Sequence, residues 1–465
     1  MRLLSPLCYG PFAAILLFVV SSALGVNYQV NITLAITLLV AIWWVTEALP
    51  IPITSLIPFA LFPLFGVLSH KQAASALGSH VILLLMGAFM LSKAVEKSGV
   101  HKRLALTLVN KLGAQNPKRI VLGFMLAAAF LSMWISNTAT TLMLLPIALA
   151  VVSSSADKRF AAILLLAIAY AANIGGMGTP IGTPPNVIFM GVYEQQVGQT
   201  ISFLDWMMIG VPIVVLAIPC AALWLTRGLT LNEPIHLPKV GLWTLAEKRV
   251  LFVFGLTAFA WIFRQAPYGG WTGLLDTKLI GDSTIALAAV VVFMLVPNGE
   301  TQIDKKGNQV QGRLLDWQTA ANIPWGMLLL FAGGICIAKA FQASGLSQIL
   351  GDYLSMLSTW PLLVMIGLVA LAVVFLTEVT SNTATTTLLM PVLAVAGVSA
   401  GIDPVYLMLP AALAASCAFM LPVATAPNAI VYSADKFTIK TMAREGFIIN
   451  LIMTLIISFV CFTLL

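Results

Sequence analysis

Residues 136–141 read Ser-Asn-Thr-Ala-Thr-Thr, and residues 381–386 repeat the same six. Both hexapeptides are polar and uncharged, yet each lies inside a long apolar stretch and is followed by a proline, Pro146 and Pro391. A second echo comes downstream, where Gly182-Thr183-Pro184-Pro185-Asn186 is answered by Ala424-Thr425-Ala426-Pro427-Asn428. Two kinds of polar interruption, each present twice and in the same order, restrict the chain to a duplicated architecture. The duplication extends further: Gly87, Lys93, Ala94, Ser98 and Gly99 recur as Gly333, Lys339, Ala340, Ser344 and Gly345.

What surrounds these breaks is lipid-like. The chain is 60% hydrophobic and only 9% charged, with a mean hydropathy of +0.99, whereas soluble domains carry roughly a quarter charged residues. Apolar runs long enough for a hydrocarbon core of about 30 Å recur throughout, and the ten-residue alternation of a membrane β-barrel is missing. The expected fold is therefore an all-α polytopic membrane protein. Spans are expected near 11–27, 32–49, 51–68, 80–98, 160–176, 184–193, 204–227, 248–264, 282–297, 322–342, 404–420 (continued at 428–433) and 444–465. The hydrophobic N-terminal run reads as an uncleaved first span rather than a signal peptide.

If both hexapeptides are tips of re-entrant hairpins, about eleven transmembrane helices remain and the termini face opposite sides. Charge supports this arrangement. The segments 93–119, 158–159, 227–249, 305–313 and 436–444, together with Arg2, then share one side, leaving Lys71, Arg264, Lys278 and Lys339 on the other. The positive-inside rule makes the basic side cytoplasmic, with the N-terminus there and the C-terminus outside. Five crossings per half, from the second span on, is an odd number, so the repeats have inverted topology. The net charge of +7 is thus a topology signal and does not point to nucleic acid.

The chemistry is expected at the breaks. Unpaired backbone groups in hydrocarbon cost several kcal/mol each, so a broken helix persists only where protein, water or ligand satisfies it. Each tip supplies hydroxyl and amide groups and starts a helix whose N–H groups favour an anion. Exposed carbonyls nearby suit a small hard cation. The intended core contains no Arg or Lys, so a dianion there needs bound cations to neutralise it. Of the membrane carboxylates, Glu378 is suited either to steering cations or taking a proton, or to satisfying backbone or hydroxyl donors that hold the hairpin, and Glu47 reads as architectural. Cys8, Cys220, Cys336, Cys417 and Cys461 read as free thiols, and His70, His80, His101 and His236 form no metal motif. No HExxH or GxSxG supports an enzyme.

Together the two SNTAT segments, Trp43-Trp44-Val45-Thr46-Glu47-Ala48-Leu49-Pro50-Ile51-Pro52, GTPPN and ATAPN resemble the divalent anion–sodium symporter family over nearly the whole chain. The resemblance implies a homodimeric elevator carrier of the plasma membrane, in bacteria the inner membrane. Residues 1–100 and 228–342 would form the scaffold, and 118–227 and 358–465 the transport domain. It implies one sodium site at Ser132, Ser136, Asn137 and Gly182, and a second at Thr377, Ser381, Asn382 and Ala424. Substrate carboxylates would meet Asn137, Thr138, Thr183, Pro184, Asn382, Thr383 and Thr425. The family pattern is broken at Ala426, where proline is common, and at Thr183, where serine or glycine is found; both bear on which anion is preferred. The implied function is sodium-coupled symport of C4-dicarboxylates with two or more Na+ ions. A dicarboxylate exchanger of the same fold, a sulfate or tricarboxylate symporter and a non-transporting sensor are the alternatives.

Overall fold

The structure, a computed structural model, describes residues 6–112, 116–153, 157–230, 241–266, 269–277, 279–303, 309–354 and 360–465. Arg2, Lys239, Lys278, Lys305 and Lys306, which enter the charge argument, and His236 lie outside the described residues. Among the described residues, eight helical stretches are long and apolar enough to cross a bilayer, and shorter apolar helices complete further passages.

The chain runs between a basic end and an opposite end. Helix α1 (Pro6–Ala23) leads to the opposite end, and α2 (Tyr28–Thr46) returns. The expected span 51–68 is two short helices, α3 (Ile51–Thr54) and α4 (Ile57–Leu64), parted at Ser55. Pro58 follows that break, and the Trp44 indole N–H donates to the Ser55 hydroxyl at 3.1 Å. After α5 (His70–Leu77), α6 (His80–Ser98) crosses back to α7 (Val100–Leu112) at the basic end. There α8 (Pro117–Ser132) and α9 (Asn137–Ser153) form the first hairpin. The next passage is α10 (Lys158–Gly176) and, after a break, α11 (Pro184–Val197); α12 (Phe203–Leu225) returns.

In the second half α13 (Leu245–Ile262), the single turn α14 (Gly270–Leu274) and α15 (Asp282–Leu295) make a down-and-back pair. One addition to the helical expectation follows: β1 (Pro297–Ile303) and β2 (Gln309–Arg313) form an antiparallel ribbon, pairing Pro297 with Arg313 and Thr301 with Gln311. Then come α16 (Trp317–Ala321), the spanning α17 (Trp325–Ser344) and α18 (Leu346–Leu354). The second hairpin is α19 (Leu362–Leu376) and α20 (Asn382–Ser399). A broken passage, α21 (Val405–Ala414) and α22 (Ala426–Tyr432), and the final α23 (Ile439–Leu464) complete the chain.

Polar pairs distant in sequence fix the two ends. At the basic end Arg103 meets Glu247 at 2.9 Å, Lys97 meets Asp316 at 2.5 Å, and Arg227 meets Glu445 at 2.8 Å. At the other end His80 lies 3.5 Å from Glu194, Arg264 meets Asp282 at 2.6 Å, and the Tyr193 hydroxyl donates to Asp403 at 3.1 Å. The first hairpin opens at the basic end beside Asp157 and Arg159, whose guanidinium donates to the Arg227 carbonyl at 2.6 Å. The second opens at the opposite end, where Gly397 packs on Pro404 and Gly351 on Ser399. The repeats are therefore inverted.

Local geometry repeats with them. Helices α6 and α17 both stop at a glycine in left-handed conformation, Gly99 (φ 74°) and Gly345 (φ 80°), the conformation glycine alone adopts freely. Their duplicated Gly87 and Gly333 each admit close packing: a methyl group there would fall 2.7 Å from Ala286 Cβ and 2.9 Å from the Ser55 carbonyl. The core centres on α10, 94% of whose span is buried.

Candidate functional site

Each hairpin turns deep inside the protein. Helix α8 ends at Ser132 and α19 reaches its C-cap at Thr377, and both side chains are fully buried. The Ser132 hydroxyl donates to the Asn137 amide oxygen, and the Thr377 hydroxyl donates to Asn382 Oδ1 at 2.5 Å. The same hydroxyl-to-asparagine contact therefore staples both tips across the turn. Helices α9 and α20 begin at those asparagines, so their first N–H groups are free of intrahelical partners.

The second pair of breaks faces the tips. Helix α10 must stop because Gly175-Gly176-Met177-Gly178-Thr179-Pro180 cannot sustain it. Close approach demands the glycines: a methyl on Gly175 would lie 2.3 Å from the Ala129 carbonyl oxygen, and one on Gly182 would lie 2.4 Å from that of Gly176. The freed carbonyls are collected by the Pro-Asn asparagines. Asn186 Nδ2 donates to Gly176 O at 2.9 Å and Thr179 O at 2.8 Å. Asn428 Nδ2 donates to Ala418 O at 2.9 Å and Leu421 O at 3.0 Å, the corresponding atoms of the other repeat. Pro184 and Pro427 sit in the first turns of α11 and α22, where a missing N–H costs nothing.

The halves join through one side chain. Asn173, 2% exposed on α10, accepts from Asn137 Nδ2 at 3.3 Å and donates to the Thr425 hydroxyl at 3.2 Å. With the Asn137 amide turned over, the orientation its neighbours satisfy, its nitrogen instead donates to Ser132 Oγ, to Gly182 O at 3.3 Å and to Ala172 O at 3.2 Å. In either orientation Asn137 ties the first tip to α10. Asn173 escaped the sequence reading because no repeat partner flags it: Ala415 stands at the matching position. Its one sequence signal is being a lone amide in an otherwise apolar run.

All these elements line one cavity of ≈ 820 Å³. Of the residues singled out from sequence, Ser136, Asn137, Thr138, Gly182, Thr183, Pro184, Ser381, Asn382, Thr383, Ala424 and Thr425 line it. Ser132 and Thr377 sit directly behind the wall. The oxygens beside the first tip are neutral: the Ser132 hydroxyl and carbonyl, the Asn137 amide and the carbonyls of Gly176 and Gly182. Beside the second, Thr377 Oγ1, Asn382 Oδ1 and the Ala415 carbonyl gather, the last 3.1 Å from the threonine. Hard neutral oxygens of this kind suit a small alkali cation. No group of three or more His, Cys, Asp or Glu gathers among the described residues.

Three charged groups line the cavity wall in ways the sequence left open. Glu378 lines the cavity but is held from behind: Oε1 accepts from Phe419 N at 2.7 Å, Met420 N at 2.9 Å and Asn450 Nδ2 at 2.7 Å, and Oε2 from Leu421 N at 3.1 Å. Of its two readings the geometry favours the anchoring one. Lys93, near the basic end of the expected span 80–98, lies on α6 and lines the cavity, so the cavity wall is not free of cationic side chains. Its ammonium pairs with Glu96 at 2.7 Å. Glu47, the left-handed C-cap of α2 at φ 49°, also lines the wall.

The sodium:sulfate symporter transmembrane region matches residues 4–464. A sodium-dependent dicarboxylate transporter, SdcS, of Staphylococcus saprophyticus is 38% identical over 98% of this chain and 90% of that protein. Its Staphylococcus aureus counterpart is 40% identical over 92% and 85%. Two solved transporters share the fold at low identity. The Alcanivorax borkumensis YdaH transporter gives a TM-score of 0.60 at 14% identity, covering 84% of this chain and 86% of that one. The Neisseria gonorrhoeae MtrF structure gives 0.52 at 12%, covering 94% of each. Matched over nearly its whole length, the chain belongs to the sodium:sulfate symporter family, the divalent anion–sodium symporters, and is a transporter.

Proposed function

We propose that this protein moves C4-dicarboxylates such as succinate, malate or fumarate into the cell together with sodium ions. The observation that carries the reading is the convergence of both stapled tips on one cavity, with Asn137 tied to α10 and Asn173 of α10 bonded to Thr425. The charge balance is consistent with it. Helices α9, α11 and α20 start at the cavity wall, each contributing about half a positive charge, which is too little alone for a desolvated dianion. Cations bound at Ser132, Ser136, Asn137 and Gly182, and at Thr377, Ser381, Asn382 and Ala424, supply the remainder. The carboxylates then meet Asn137, Thr138, Asn382 and Thr383, with Thr183, Pro184 and Thr425 closing over them. The staphylococcal relatives are named sodium-dependent dicarboxylate transporters, which supports the solute class and the coupling ion of this reading.

Transport follows an elevator scheme in a homodimer, with 118–227 and 358–465 moving against 1–100 and 228–342. The N-terminus is cytoplasmic. All described Lys and Arg other than Lys71, Arg264 and Lys339 lie toward the basic end, in keeping with the positive-inside rule. Proteoliposomes holding the purified protein test the coupling. Succinate uptake should follow an imposed inward sodium gradient without preloaded dicarboxylate. Uptake that appears only after preloading, and is indifferent to sodium, would replace symport with exchange.

A further inference from the structure

Lys93 and Lys339 occupy matching places in the two repeats, each six residues before a left-handed glycine that ends its helix. Their surroundings differ. Lys93 lines the cavity together with Glu96, and the two side chains are 31% and 25% exposed. Among the described residues lining that cavity, Lys93 is the one cationic side chain, beside the carboxylates of Glu47, Glu96 and Glu378. Lys339, at the opposite end, is turned away from the cavity onto Ser75 Oγ at 2.5 Å. The partner position differs in kind as well: Glu96 corresponds to Gln342, which locks onto the end of α11. Gln342 Nε2 donates to the Gln195 carbonyl at 2.9 Å, and Gln195 Nε2 returns a bond to Gln342 Oε1 at 3.0 Å. Helix α17 is thus sealed against α11 where α6, its counterpart, borders open space.

The structure therefore captures one of two related conformations, with the cavity reaching toward the basic end. Inverted repeats make the other by exchanging the local arrangements of their halves. In that exchange α11 slides away from α17, the Gln342–Gln195 bonds part, and Lys339, beside Ser75, comes to border a cavity reaching the opposite end while the moving hairpin covers Lys93. We propose that Lys93 and Lys339 are paired mouth residues, one cation for each side of the membrane, that draw the dianion toward the tips before the bound cations take over its charge. This rests on the proposed anion transport but not on its coupling to sodium. Lys93 offsets the Glu96 carboxylate it pairs with, so removing it leaves an entrance whose uncompensated negative charge repels a dianion and slows capture, and ionic strength weakens the effect.

The test uses the full protein in proteoliposomes whose orientation is established by protease access to a terminal tag. The KM for succinate is measured from each face at low and high ionic strength. Lys93→Gln should raise KM about 5-fold or more from the basic face and less than 2-fold from the other. Lys339→Gln should give the mirror result, and both differences should shrink in about 0.5 M choline chloride. Lys93→Arg and Lys339→Arg should restore the parent values, separating charge from misfolding. Equal changes at both faces, no change at either, or differences that persist in salt would overturn the pairing. Should wild-type uptake prove independent of sodium, the same KM values are read in exchange mode from preloaded vesicles, so symport would fail while the lysine comparison stood.

Discussion

Replacing Glu378 by glutamine isolates the task of a buried carboxylate at the second break. Three N–H groups converge on Oε1 and a fourth on Oε2. Hydrogen bonds to a charged acceptor contribute ~1.5–3 kcal/mol, against ~0.5–1.5 for neutral ones. A glutamine oxygen placed at Oε1 keeps three bonds but weakens each by about 1 kcal/mol. Its amide nitrogen then faces Leu421 N–H, donor to donor, and a buried unpaired donor costs ~1–3 kcal/mol. The gross loss is about 5 kcal/mol, offset in part because a charge is no longer buried; a net of about 2 kcal/mol remains as the working value. It falls on residues 417–421, which follow the Ala415 carbonyl beside Thr377 and lead into Ala424 and Thr425. If the break must be reordered before a cation binds, 2 kcal/mol corresponds to roughly 30-fold in apparent sodium affinity. The assay is succinate uptake against sodium concentration in proteoliposomes, paired with thermal unfolding of the purified protein. Glu378→Gln should shift half-saturation by about that factor and lower the melting temperature, and Glu378→Asp should fall between. A sodium shift without any loss of thermal stability would make Glu378 a direct cation ligand and refute the anchoring argument. So would wild-type behaviour in both measurements.

Three further outcomes are expected. Asn137→Ala and Asn382→Ala should each abolish transport while the protein still purifies as a folded species, and normal flux with both changes would remove these asparagines from the site. Gly182→Ala should also abolish transport, since its methyl would lie 2.4 Å from the Gly176 carbonyl and 2.9 Å from that of Ser132; uptake within twofold of the parent would show that the break yields freely. The third concerns acid stability. Burial pushes the Asp316 carboxyl up, but Lys97 and Thr319 outweigh it and hold it below the ordinary range. A depressed carboxyl adds stability that is complete above the unfolded value near ~3.9 and disappears as pH falls through the folded one. Lys97→Met should therefore reduce the melting temperature slightly at pH 6 and match the parent once Asp316 is protonated. A difference unchanged down to that pH would mean that the lysine acts by packing.

The sequence by itself determined the parts of this protein that are local or repeated. Apolar run length dictates the spans, the distribution of Lys and Arg separates the two ends, and the odd number of crossings per half forces the inversion. The polar breaks were legible because hydrocarbon tolerates an open backbone only around a site, and their duplication distinguished them from ordinary interhelical contacts. Only the tertiary structure decided what meets what. Asn173 bridges the halves across more than 250 residues of chain to Thr425, a contact without local signature. Glu378 could be read either way until Phe419, Met420, Leu421 and Asn450 were seen around it. Lys93 was within the expected span 80–98, but which way it faces depends on how α6 is rotated against its neighbours, and only the fold shows it at the cavity wall. Pairings of this sort depend on how helices cross, and crossing is set by packing over the whole molecule rather than by the residues flanking any one position.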